Sequence, residues 1–180
     1  ILKDDNYLGI DHSNYKLLPI TNNNYLFSSN FVKKINFKNL KSNKILYIPN
    51  RTANTSLSGK DYLYKKNYEE WQNFLANKFG KIDAKFPYKK INYKINNNFN
   101  VLDTNLKLLK ILSQYDLVII DYISSTTFGE VASTDVPILY FNLNRDDINS
   151  EAAKLIKQRV YEIKIDIFNN FKGFENVNKL

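Results

Sequence analysis

Between Asp121 and Thr127 the sequence reads Asp-Tyr-Ile-Ser-Ser-Thr-Thr, so Ser124, Ser125, Thr126 and Thr127 gather four hydroxyls where a strand-like run gives way to a helix-like one. The first N–H groups of a helix are unpaired and lie at the positive end of its dipole, so hydroxyls added there suit a phosphate. Ser and Thr are also ordinary helix N-caps, and capping alone accounts for the same residues. Glu130, a turn further on, is placed to accept hydrogen bonds from a ribose diol; its plainer role is a favourable charge near a helix N-terminus. Asp121, closing the strand-like run, and Thr127 complete the candidates at this turn.

Two further places carry phosphate chemistry. Arg51 and Thr52 follow an early apolar run, and Arg is informative here because only Arg51, Arg145 and Arg159 occur among many Lys. The planar guanidinium fork matches phosphate oxygens, although a surface Arg is the commoner case. Lys85, just before Phe86-Pro87, is a third basic candidate. No residue stands out as a catalytic base or nucleophile. There is no G-x-G-x-x-G, no Walker loop and no Ser-His-Asp set, which argues against dehydrogenase and ATPase chemistry. With no Cys and a single His12, neither a disulfide framework nor a thiolate metal site can form, and no metal or cofactor is expected.

The elements that would position these residues follow a regular order from Lys44 onward. Lys44–Pro49 reads as a buried strand stopped by Pro. Asn67 and Glu70 have capping-box spacing, and Trp71, Phe74, Leu75 and Phe79 recur at helical intervals up to Gly80. Lys81–Phe86 reads as a second strand and Asn98–Leu102 as a third. Asp103 is expected to cap a helix with Leu106, Leu109 and Leu112 on one face. Asp116–Asp121 is continuously apolar between its acidic ends, the pattern of a strand covered on both faces. Ser124–Ser133 reads as a helix, Pro137–Phe141 as a strand, and Ser150–Val160 as a helix capped by Ser150. The tail beyond Tyr161 has room for a strand and a helical return.

Alternating strands and helices of this kind predict an α/β, doubly wound, Rossmann-like domain with a mostly parallel sheet and helices on both faces. In such sheets ligands sit beyond the carboxyl ends of strands, where strand order reverses, which favours the turns after Ile48, Phe86, Asp121 and Phe141.

Composition sets the outer limits. The chain has 180 residues, 43% of them hydrophobic and 14% aromatic, enough for a core despite Asn-rich patches. The net charge of +8 invites a nucleic-acid reading. The positive residues are nearly all Lys scattered among Asn, Ile, Tyr and Phe, so nucleic acid is not expected as a partner. No stretch approaches a membrane span and the first residues have no signal-peptide character, so a cytoplasmic location is expected. Without Met and beginning at Ile1, the chain is read as a piece of a longer protein.

The stretch Asp116–Phe141 resembles the corresponding segment of the C-terminal domain of GT-B-fold transferases. The likeness is to the CDP-glycerol glycerophosphotransferase group and related surface-carbohydrate transferases. It rests on Asp121-Tyr122-Ile123-Ser124-Ser125 followed by Pro137-Ile138-Leu139-Tyr140. Ile45–Arg51 is similar to that group's strand with a Pro-Thr-x-Arg ending, with Asn50 and the Arg spacing departing from it. Lys85-Phe86-Pro87 resembles a Lys-x-His-Pro element, with Phe86 where a His is common.

The resemblance implies a donor-binding half. Ser124, Ser125 and Thr126 would hold the diphosphate of a nucleotide-activated donor, CDP-linked or similar, with Arg51 and Thr52 assisting and Glu130 on the ribose. An acceptor-binding domain would lie upstream, and basic charge would suit peripheral contact with an anionic membrane at its inner face. The expected organisation is 1–43 as the end of an upstream domain or a linker, 44–165 as the donor domain and 166–180 as a C-terminal return. The expected function is transfer of a sugar or polyol-phosphate group to a cell-envelope glycan. The alternative is a non-enzymatic nucleotide- or phosphate-binding regulatory module of flavodoxin-like topology.

Overall fold

The computed structural model describes residues 44–50, 59–87, 95–123, 125–144 and 150–179. Six strands form one parallel sheet: β1 (Ile45–Ile48), β2 (Ile82–Ala84), β3 (Phe99–Val101), β4 (Leu117–Ile120), β5 (Ile138–Asn142) and β6 (Tyr161–Lys164). Their spatial order is β3-β2-β1-β4-β5-β6. The chain lays down β1, moves outward to β3, crosses back over the sheet, and then moves outward in the opposite direction. The central pair is β1 and β4, in register from Ile45 beside Leu117 to Ile48 beside Ile120.

Among the described residues four α-helices connect strands: α1 (Gly59–Phe79), α2 (Leu108–Ile111), α3 (Thr126–Ala132) and α4 (Ser150–Arg159). The strand pleat sends alternate side chains to opposite faces. Ile45, Tyr47, Leu117, Ile119, Leu139 and Phe141 meet Tyr68, Trp71 and Leu75 of α1 on one face. Leu46, Ile48, Val118, Ile120, Ile138 and Tyr140 meet Leu108 of α2, Phe128 and Val131 of α3 and Ile156 of α4 on the other. A sheet built outward in two directions with crossovers of one hand must place its helices this way. This is the doubly wound, Rossmann-like α/β fold that the alternation of elements predicts.

Several local expectations are corrected. Asn67 and Glu70 do not cap α1, which begins eight residues earlier, at Gly59. No Pro or Gly interrupts Lys60–Lys66, so nothing stops the helix there. Glu70 instead pairs with Lys66, one turn back, at 3.9 Å. Asp103 caps no helix: its carboxylate accepts the Asn105 N–H at 2.8 Å and closes a local turn. The helix after it starts only at Leu108 and is short, passing into a 3-10 turn over Leu112–Gln114. Leu108 and Leu112 are buried while Leu106 and Leu109 are exposed. α4 opens at Ser150, as the sequence predicts.

The tail closes the α1 face. After β6, Ile165 and Ile167 are buried, and a 3-10 helix over Phe174–Lys179 adds Val177. Trp71 lies edge-on to Phe141 and tilted against Phe171, so Ile167, Phe171, Phe174 and Val177 of the tail share the core of the preceding residues. No helix among the described residues is long and apolar enough to cross a membrane.

Candidate functional site

Where β1 and β4 end side by side, the chain leaves them toward opposite faces of the sheet, to α1 from β1 and to α3 from β4. That divergence opens a crevice, as strand-order reversal does in open α/β sheets. A cleft of about 390 Å³ lies there. One side comes from Pro49 and Asn50 after β1 and from Lys85, Phe86 and Pro87 after β2. The other comes from Tyr122 after β4 and from Ser125, Thr127 and Phe128 at the start of α3.

Each polar group in the cleft has a structural reason for its position. Ser125 is extended at φ −146°, ψ 151°, and its Oγ accepts the Phe128 N–H at 3.1 Å, which makes it the N-cap of α3. A hydroxyl that accepts still carries its own O–H proton to donate. The Lys85 N–H donates to the Tyr47 carbonyl at 2.9 Å, continuing the sheet one residue past β2. Its ammonium donates to the Thr104 carbonyl at 3.0 Å and keeps two further protons. Lys85 is the one charged side chain among the described lining residues, and none of those residues is a carboxylate. The lining therefore favours an anion.

Asp121 is two per cent exposed and does not line the cleft. One carboxylate oxygen accepts the Asn50 N–H at 2.8 Å. The other accepts the Tyr68 hydroxyl at 2.8 Å and the Tyr47 hydroxyl. Burial pushes its pKa up from 3.8 to about 6, against the pull of the two tyrosines, the Asn50 N–H and the Trp71 indole. The indole N–H acts at longer range, since it completes no hydrogen bond of its own. Burial and the neighbouring Asp121 raise the Tyr47 pKa well above its usual value. The candidate role of Asp121 at a phosphate is thus replaced by a buried structural one: both oxygens are occupied, on the α1 side of the sheet.

Of the other candidates, Ser125, Thr127 and Lys85 are brought together around one cleft. Thr126 opens α3 as its first residue. Glu130 is exposed and lies outside the lining, a helical turn beyond Thr127. Ser124, Arg51 and Thr52 lie outside the described residues. The motif reading gave no role to Tyr122, Phe86 or Phe128, which build the apolar walls. Their signal was positional: each follows a strand end or opens a helix at the carboxyl edge. No protein-family model, no curated protein and no solved structure matches this chain.

Proposed function

We propose that this chain binds the diphosphate of a nucleotide-activated donor in the cleft between β1 and β4. It would act as the donor-binding part of a transferase that moves a sugar or polyol-phosphate group to a cell-envelope glycan. The observation that carries the reading is the coincidence of three features at one place. The cleft sits at the reversal of strand order, the hydroxyl residues Ser125 and Thr127 from the start of α3 line it, and the one charged side chain among its described lining residues is a lysine.

In a transfer reaction, charge grows on the leaving nucleotide as the acceptor hydroxyl attacks. The Ser125 and Thr127 hydroxyls and the Lys85 ammonium would meet that charge, and fixed donors of this kind are each worth about 3 kcal/mol. Phe86 and Phe128 would keep water from the phosphates and strengthen those hydrogen bonds. The general base stays unassigned.

One observation favours a second reading, a nucleotide- or phosphate-binding regulatory module. The described lining contains no carboxylate or imidazole able to deprotonate an acceptor. Under this reading the cleft senses a ligand and transfers nothing.

Titration with CDP, UDP, CDP-glycerol and inorganic phosphate, followed by Trp71 fluorescence and by melting temperature, tests both. Saturable diphosphate binding that is weakened at least tenfold in a Ser125→Ala, Thr127→Val double variant is the expected result. Failure of every diphosphate to bind rejects the donor-site reading, and failure of inorganic phosphate as well rejects both. Binding of CDP and CDP-glycerol with equal affinity favours the regulatory module, because a donor site gains contacts from the transferred group.

A further inference from the structure

Asp121 lies behind the cleft between β1 and β4 and is tied to both of its walls. Its carboxylate accepts the backbone N–H of Asn50, which lines one wall, at 2.8 Å. Tyr122, which lines the other, is its neighbour in the chain. A charge on this buried carboxylate therefore stands beside a cleft whose one described charged lining side chain is Lys85.

The groups set against Asp121 are polar but uncharged. From β1 the Tyr47 hydroxyl donates to it, and from α1 the Tyr68 hydroxyl donates to the same oxygen at 2.8 Å. The Trp71 indole N–H, also on α1, acts from further off. The Asn50 N–H reaches the Tyr68 hydroxyl oxygen as well, at 2.8 Å. β5, the other neighbour of β4, brings the apolar Leu139 and Phe141 to this face. Tyr47 stays protonated, its pKa held well above the usual value by burial and by Asp121. No Lys, Arg or second carboxylate among the described residues bears on the ionisation of Asp121.

The two protonation states share one hydrogen-bond geometry and differ in charge. A neutral carboxyl still offers an acceptor to the Asn50 N–H, and its own proton can be given to a tyrosine oxygen, because hydroxyl protons rotate to suit. Ionisation adds one negative charge in a low-dielectric position, where salt screens it little. Burial raises the pKa from 3.8 to about 6, so this charge is absent in mild acid and present at neutral pH.

We propose that Asp121 regulates the cleft by pH: its ionisation weakens the binding of a diphosphate there, and the arrival of the anion draws a proton onto it. The inference rests on the anion-binding reading of the cleft given above. Like charges about 10 Å apart, at the effective dielectric of a protein, repel enough to change an affinity roughly tenfold. Linkage is reciprocal, so the bound anion raises the Asp121 pKa by the same factor that ionised Asp121 lowers the affinity.

The test is calorimetric titration of the whole 180-residue chain with CDP-glycerol and with a uridine diphosphate sugar. Both phosphates of these ligands are esterified on two sides and lack the second ionisation, at about 6, of a terminal phosphate. Affinity should fall roughly tenfold between about pH 5.5 and about pH 7.5. Net proton uptake should appear between these limits, read from buffers of different ionisation heat. Asp121→Asn keeps the shape and is neutral at every pH, so it should hold the low-pH affinity throughout and take up no proton. A histidine ordinarily titrates in the same window; His12 is the only one in the chain, and His12→Gln should keep the full pH dependence.

Binding with an affinity independent of pH overturns the proposal and leaves the anion-binding cleft standing. The same holds for a pH dependence that is lost in His12→Gln or retained in Asp121→Asn. Proton uptake is measured on the natural chain, so its absence overturns the proposal even where Asp121→Asn does not fold. Absence of binding at every pH overturns both the proposal and the reading of the cleft on which it rests.

Discussion

The carboxylate of Asp121, at the end of β4, holds the backbone N–H of Asn50, beyond the end of β1, at 2.8 Å across the seam where strand order reverses. The same carboxylate is bound by Tyr47 of β1 and Tyr68 of α1. One buried group thus ties together two central strands and a helix beside the cleft, and the Asn50 it anchors is part of the cleft lining.

Stability should report the protonation of that group. Asp121 in the fold titrates near 6 instead of 3.8, so the folded state holds this proton more tightly than the unfolded chain does. Its contribution is fully present below about pH 4 and is lost as pH rises through about 6. The loss by pH 7 is on the order of 3 kcal/mol. Urea denaturation between pH 4 and 7 should show this decline in the natural chain, superimposed on the other carboxylates, and Asp121→Asn should lack it. Parallel curves for the two proteins would falsify the assignment.

Arg159 should behave as a structural clamp. It is one per cent exposed, and its guanidinium donates to the carbonyls of Ala132 at 3.2 Å, Val136 at 2.8 Å and Thr134. These carbonyls lie at the end of α3 and in the approach to β5, so Arg159 fixes the far end of the helix whose beginning lines the cleft. Burial lowers its pKa to about 10. Arg159→Met should cost about 3 kcal/mol, since buried acceptors lose a charged donor. Chemical denaturation measures the cost; a change under 1 kcal/mol shows that the carbonyls find other partners.

Ser125→Ala should separate capping from ligand binding. Loss of the bond to the Phe128 N–H should lower stability by about 1 kcal/mol. Ser125→Asp keeps a cap but places a carboxylate in the cleft, so it should retain stability while abolishing diphosphate binding. Melting curves and the nucleotide titration together decide this, and diphosphate binding that survives Ser125→Asp removes Ser125 from the site.

Gly173→Ala should be among the most damaging single-methyl additions. The new Cβ would lie 2.0 Å from the Lys164 carbonyl oxygen, a backbone atom that cannot move alone, at a φ that L residues avoid. A loss of about 3 kcal/mol or more is expected, together with local exposure of residues 165–174. Hydrogen exchange at the Asp166 and Lys172 amides would reveal the opening; native-like protection there contradicts the close approach.

Strands were the most legible part of the sequence. Ile45–Ile48 and Leu117–Ile120 are continuous apolar runs with acidic, Lys or Pro punctuation, and runs of that length are buried on both faces whatever their neighbours are. Helix limits were less legible. Asn67 and Glu70 satisfy a capping pattern but sit inside α1, and Leu106 and Leu109 share a helical stripe but are exposed. A cap is a local preference of less than a few kcal/mol, and burial of Tyr68, Trp71 and Leu75 against the sheet outweighs it.

The sequence by itself determined the parallel α/β class and the hydroxyl-rich turn between β4 and a following helix, because these depend on short-range periodicity and on residue types within a few positions; which of those hydroxyls caps α3, Ser125, came from the structure. Only the tertiary structure decided that β1 and β4 are neighbours, and hence that Lys85 and Thr127 line one cleft. Only it decided that Asp121 turns away from that cleft to Tyr47 and Tyr68, 74 and 53 residues distant along the chain. Strand order is set by which apolar faces can be covered at once and by the hand of the crossovers, neither of which leaves a mark on any single segment.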